Sequence, residues 1–180
     1  YGVVLENETL MADIVVLATP NETVRAIVQD EGLRTQLEKF TTASALTMYV
    51  GFDVADSVLP ADGTGFIVSH HSDLVCNAST WTSRKWKHTS SEGNLLVRLF
   101  YKNINPRYEE LAAMTDEQLT EVALGDIKLS LGIEEKPTVV NVTKWIGQMP
   151  RYDLAHNEAL GHVIKELALH YPNVLLAGCS

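Results

Sequence analysis

Apolar positions change their rhythm twice along this chain. Residues 1–5 alternate weakly, and residues 11–19 read as a second strand in which Ile14, Val15, Val16 and Leu17 leave no polar face. A strand apolar on both sides is one covered on both sides, as in a parallel sheet. Pro20 and Asn21 break it, and residues 23–29 and 33–39 follow with helical spacing, parted at Gly32. From Phe40 the rhythm becomes that of strands. Residues 42–52, 65–69, 74–82 and 94–101 are rich in β-formers and are separated by turn-forming clusters. That spacing predicts antiparallel strands joined by hairpins and longer loops.

Helical periodicity then returns. Thr115 to Gln118 form a capping box, with Leu119, Val122, Ala123, Ile127 and Leu131 on one face and Gly132 as the stop. Residues 138–143 read as a strand that gives way to a loop at Trp145. Asn157 is placed to cap a last helix with Leu160, Ile164, Leu167 and Ala168 inward, ended by Pro172, and residues 174–177 read as a buried strand. The two ends therefore predict pieces of one α/β sheet, and the middle predicts an α+β insertion with its own sheet. The expected division is 1–40, 41–142 and 143–180.

Composition narrows the function. The hydrophobic share of 46% is ordinary for a globular core, and the net charge of −9 argues against nonspecific nucleic-acid binding. No apolar run approaches the roughly 18–20 residues of a membrane span. Cys76 and Cys179 are expected to be free thiols. The chain starts at Tyr1 and stops at Gly178-Cys179-Ser180, just past a strand end where open α/β folds bind ligands. It is therefore expected to be part of a longer protein.

Sites of known chemistry are sparse. His70 and His71 are adjacent, so on a strand they diverge, while His156 and His162 do not share a helical face squarely. No metal site is expected, and no nucleophile–base pair or other catalytic side chain can be named. Residues 80–88, Thr-Trp-Thr-Ser-Arg-Lys-Trp-Lys-His, set Arg84, Lys85 and Lys87 among Trp81 and Trp86 in an acidic chain. Cations beside aromatics suit a flat ligand bearing carboxylates, and equally suit a solvated loop with one Trp tucked inward. Trp145 reads either as a core or hinge aromatic or as a ring packed on a cofactor.

Five segments carry a resemblance. Ala-Asp-Ile-Val-Val-Leu-Ala-Thr-Pro at 12–20 resembles a strand of the flavin amine-oxidase superfamily. Narrower are Leu-Pro-Ala-Asp-Gly-Thr-Gly-Phe-Ile-Val-Ser at 59–69, the 80–88 cluster, Thr-Lys-Trp-Ile-Gly-Gln-Met-Pro-Arg-Tyr at 143–152, and the end from Tyr171. Together, and collinearly over the chain, these are similar to the protoporphyrinogen/coproporphyrinogen oxidases of Gram-positive bacteria. The resemblance implies a Rossmann-like FAD-binding domain flanking a substrate domain on a mixed sheet. It implies an FAD enzyme of haem synthesis that oxidises a porphyrinogen by six electrons and passes them to oxygen. By resemblance the enzyme is soluble and cytoplasmic, with haem-pathway enzymes or a second copy as conceivable partners.

The resemblance gives Trp145 to FAD, and Gly65 and Ile67 to the substrate pocket, where a small residue would let a macrocycle approach the backbone. Arg84 and Lys85 are added from their charge, as contacts for propionates or as surface groups. Thr64 departs from the family, in which an aromatic is common. No Gly-x-Gly-x-x-Gly is present, so these residues alone are expected neither to hold FAD nor to be active. Another flavin amine-oxidase-type enzyme and a non-catalytic binding module remain alternatives. The preferred porphyrinogen is not legible.

Overall fold

The structure is a computed structural model and describes every residue except Ala61, His70, Ser91, Cys179 and Ser180. The readings that fall on His70, Cys179 and Ser180 lie outside the described residues. The chain forms two units, Tyr1–Ala43 with Gln148–Ser180, and Ser44–Gly147. The second boundary groups residues 143–147 with the central unit.

In the outer unit, β1 (Gly2–Val4) pairs antiparallel with β2 (Thr9–Met11). β3 (Val15–Leu17) pairs in parallel with β9 (Val174–Leu176). The single strand expected over 11–19 is thus two. Met11 is drawn to the first strand, and the chain bends at Asp13 before Val15 meets Val174. Two short helices follow, α1 (Asn21–Ile27) and α2 (Glu31–Leu37). Gly32 does not part them. It lies in the first turn of α2, and Asp30 starts that helix by accepting the Leu33 N–H at 2.9 Å.

The last helix, α6 (Leu154–His170), begins earlier than Asn157, because Asp153 accepts the His156 N–H at 2.9 Å. The side it buries carries His156, Ala159, Val163 and Leu167, packed with Val24, Leu33, Leu37 and Phe40. Of the four residues expected inward only Leu167 is fully buried, and Ile164 is 55% exposed. The helix carries two apolar stripes, and periodicity cannot say which one meets the core. The other stripe, with Leu160 and Ile164, lines an open groove with Pro172, Val174 and Leu176.

The central unit is built on a five-stranded sheet. Its strands are β4 (Thr42–Ala55), β5 (Gly65–Ile67), β6 (Ala78–Trp81), β7 (Asn94–Lys102) and β8 (Val139–Pro150), in the order β5-β6-β7-β4-β8. β5/β6, β6/β7 and β4/β7 are antiparallel. Thr138 donates to the Gly51 carbonyl and Gly147 to Ser44 Oγ, both at 2.9 Å, so β8 also runs against β4. Neighbouring strands are therefore antiparallel throughout, where a mixed sheet was expected. The helical crossover after β7 returns the chain beside β4, so the two strands it joins are not neighbours. β8 also runs through Trp145 to Pro150 rather than ending in a loop there.

That crossover contains α4 (Tyr108–Ala113) and α5 (Asp116–Leu131). The expected capping box is formed, with Gln118 N–H donating to Thr115 Oγ1 at 3.3 Å and Thr115 N–H to Gln118 Oε1 at 3.0 Å. Gly132, at φ 69°, adopts the left-handed conformation that ends the helix. Leu119, Ala123 and Ile127 pack with Leu95, Val97 and Leu99 of β7. Lys144 Nζ donates to the Ala112 and Met114 carbonyls at 3.1 and 2.7 Å, closing the end of α4.

One polar residue shares the buried side of α5. Asp126 accepts the N–H groups of Val75 at 2.7 Å and Cys76 at 2.8 Å, and the Tyr101 hydroxyl at 3.1 Å. This explains why residues 74–82 are a strand only from Ala78. The N–H groups of Val75 and Cys76 bond a carboxylate instead of a neighbouring strand, and Thr82 opens a helical turn, α3 (Thr82–Lys85). Burial, followed by the charge of Asp126, pushes the Cys76 thiol up to about 12 and raises the Tyr101 hydroxyl as well.

Asp126→Ala strands two inward N–H groups and a tyrosine hydroxyl, so denaturant unfolding is expected to show a loss of about 2–4 kcal/mol. The folded Cys76 pKa lies above its ordinary value of 9.0. Its contribution to stability is therefore complete below pH 9.0 and is lost as pH climbs toward about 12. In a Cys179→Ser background, a thiol reagent at neutral pH is expected to leave native Cys76 unmodified and to label it only on unfolding.

Candidate functional site

Side chains alternate across a strand, so pairing register decides which residues share a face. In the central sheet Leu95, Val97, Leu99 and Tyr101 of β7 point to the core, and their neighbours point to the opposite face. Register then aligns rows on that second face. One row runs Gly65, Thr80, Arg98, Tyr49, and the next runs Ile67, Ala78, Phe100, Thr47. Trp145 joins the second row from β8, its indole N–H donating to Thr47 Oγ1 at 3.0 Å. Three residues singled out from sequence, Gly65, Ile67 and Trp145, are thus brought to one sheet.

Their surroundings differ. Ile67 is 89% exposed, on the edge strand. Trp145 is half-buried, with its polar atom satisfied and its ring held by a buried threonine. Gly65 has φ 151°, and a Cβ there would run into the Ser79 carbonyl of β6. The pairing of β5 with β6 is therefore a sufficient reason for glycine at this position, without the approach of a ligand.

Arg84 and Lys85 sit elsewhere, on α3. Arg84 donates to the carbonyls of Asp56, at 2.6 Å, and Pro60, lies 3.9 Å from the Asp56 carboxylate, and stacks 5.4 Å from the Trp81 ring centre. Two of the nitrogens of this guanidinium are thus engaged by the chain's own carbonyls. It braces the single 3₁₀ turn Asp56–Val58 and the loop after it against the buried Trp81. Lys85 is exposed and lies 4.7 Å over the Trp86 ring, as a surface group.

Sequence reading missed Arg98. Its guanidinium lies 5.1 Å from the Tyr49 ring centre and 4.6 Å from that of Phe100. The available signal was a cation at an outward position of an otherwise regular inward alternation, Leu95-x-Val97-x-Leu99-x-Tyr101. Among the described residues no group of three or more His, Cys, Asp or Glu could hold a metal ion. His156 is buried against Phe40 at 4.5 Å and Tyr152 at 5.0 Å, as part of the outer core.

The pattern of the flavin containing amine oxidoreductase family matches residues 1–180. The chain belongs to that family. Among its curated relatives, the coproporphyrinogen III oxidase of Bacillus subtilis is 29% identical over 181 residues, covering all of this chain and 38% of the relative. The coproporphyrinogen III oxidase of Staphylococcus aureus is 25% identical, covering 93% of this chain and 36% of the relative. A crystal structure assigned to a protoporphyrinogen oxidase of Exiguobacterium sp. 255-15 is 29% identical, with a TM-score of 0.74, over 99% of this chain and 38% of that one. Cyclohexylamine oxidase from Brevibacterium oxydans, at 15% identity and a TM-score of 0.70 over 98% of this chain and 39% of that one, shares the fold. The chain thus spans less than two-fifths of these proteins.

One residue present fits the family's flavin. Trp145 offers a fixed, half-open ring to a flat conjugated partner.

Arg84→Met removes two charged hydrogen bonds from partly buried carbonyls. It is expected to lower unfolding free energy by about 1–3 kcal/mol, read by denaturant titration, without changing ligand affinity.

Proposed function

We propose that this chain is part of an FAD-dependent oxidase converting coproporphyrinogen III to coproporphyrin III, a step of haem synthesis with oxygen as acceptor. In this reading the outer unit belongs to the FAD-binding domain and the central unit presents the substrate face. The observation that carries it is the end-to-end match to relatives named coproporphyrinogen III oxidase in several bacteria, across both units. Six electrons and six protons leave the macrocycle, and three dioxygen molecules become three hydrogen peroxide molecules.

A bound flavin supplies the two-electron acceptor. The chain's own part is to bind, orient and exclude water. Trp145, fixed through Thr47, would hold the edge of the flavin site. Ile67, Ala78 and Phe100 form an apolar row on which a tetrapyrrole can lie. Gly65 begins the neighbouring row, and its backbone geometry keeps β5 close to β6. The reading requires no covalent nucleophile from this chain.

The test uses the FAD-loaded full-length protein. Porphyrin fluorescence should grow from coproporphyrinogen III faster than from protoporphyrinogen IX, with oxygen consumed. No gain from either substrate would refute the proposal and leave an amine-oxidase-type activity or a binding module. Trp145→Ala should weaken flavin retention about 2- to 10-fold, measured by flavin release on dilution.

A further inference from the structure

Arg98 is held by two aromatic rings but by no carboxylate among the described residues. It is on the face of β7 opposite the core, and no hydrogen bond or ion pair to a described residue satisfies it. Its Nε is shielded from solvent and without a partner. In a chain with 23 acidic against 14 basic residues, the burial of this unpartnered Nε is what sets Arg98 apart. Arg107 pairs with Glu110, Arg34 with Glu31 and Arg84 with Asp56. A buried N–H of a charged group left unpaired costs free energy unless something outside the chain completes it.

The surroundings define what would complete it. Tyr49 and Phe100 flank the guanidinium at 5.1 and 4.6 Å, holding its plane by cation–π contact and limiting its rotamers. A planar fork held in this way suits the two oxygens of a carboxylate. Beside it runs the apolar row of Ile67, Ala78 and Phe100, and next to it in its own row is Thr80. An apolar bed with one preorganised cation at its margin matches a flat, hydrophobic ligand that carries a carboxylate.

We propose that Arg98 is the carboxylate-anchoring residue of this face, binding an acidic side arm of a flat apolar ligand. Under the proposed function, on which the choice of ligand rests, that arm is a propionate of the tetrapyrrole, which becomes flat on oxidation to coproporphyrin. The face thereby selects acidic macrocycles over neutral ones.

The experiment compares wild type, Arg98→Met and Arg98→Lys in the flavin-loaded full-length protein, with thermal midpoints recorded to confirm folding. Dissociation constants are measured for coproporphyrin III and for its neutral tetramethyl ester. Arg98→Met should weaken the acid about 10- to 100-fold and the ester less than about 2-fold, with Arg98→Lys recovering part of the difference. Equal losses for acid and ester, or no loss for either, would overturn the assignment. If wild type binds neither porphyrin, the proposed function fails by itself. The comparison of 1-pyrenebutyrate with 1-pyrenebutanol then reads Arg98 independently, and an acid preference unchanged in Arg98→Met rejects it.

Discussion

The central unit depends on one carboxylate placed where charges are costly. Asp126 sits among the apolar residues of α5 and takes hydrogen bonds from Val75, Cys76 and Tyr101. Through these it ties a helix, the approach to β6 and the end of β7 together. Desolvating a carboxylate is tolerable only when its oxygens are satisfied, so this network specifies one arrangement of the three elements. It also helps fix which side of the sheet the helix covers, and hence which side it leaves open.

The open side follows from register. Pairing of Tyr49 with Arg98 and of Thr47 with Phe100 sets the two rows, and a slip of one residue would send the cation into the core and Val97 out. Arg98 has ring partners but no hydrogen-bond or ion-pair partner among the described residues, and Trp145 is secured by one bond from its edge, which leaves its ring half open. On the opposite side Lys144, next to Trp145 in sequence, is spent on the end of α4. A single motif thus serves helix termination on one face and a candidate cofactor contact on the other.

Charge read along the sequence does not show which cations the fold itself engages. Arg84 and Lys85 stand out in the 80–88 cluster because the chain around them is acidic and aromatic. Yet Arg84 is consumed by the carbonyls of Asp56 and Pro60, groups 28 and 24 residues away that no local pattern links to it. Arg98 drew no notice because a strand pattern absorbs it. The difference between them is whether the fold brings acceptors to the guanidinium, and that is a non-local property.

Sequence by itself determined the local elements whose causes are local. The capping box at Thr115, the stop at Gly132, the β-rich middle and the apolar run of β3 are each encoded within a few residues, and the family motifs at 59–69 and 143–152 are contiguous strings. Only the tertiary structure decided which apolar stripe of α6 is buried, where residues 74–82 stop being a strand, how the crossover returns β8 beside β4, and which acceptors reach Arg84. Those outcomes depend on partners distant in sequence, such as Asp126 for Val75 or Val24 for Val163, and periodicity carries no information about distant partners.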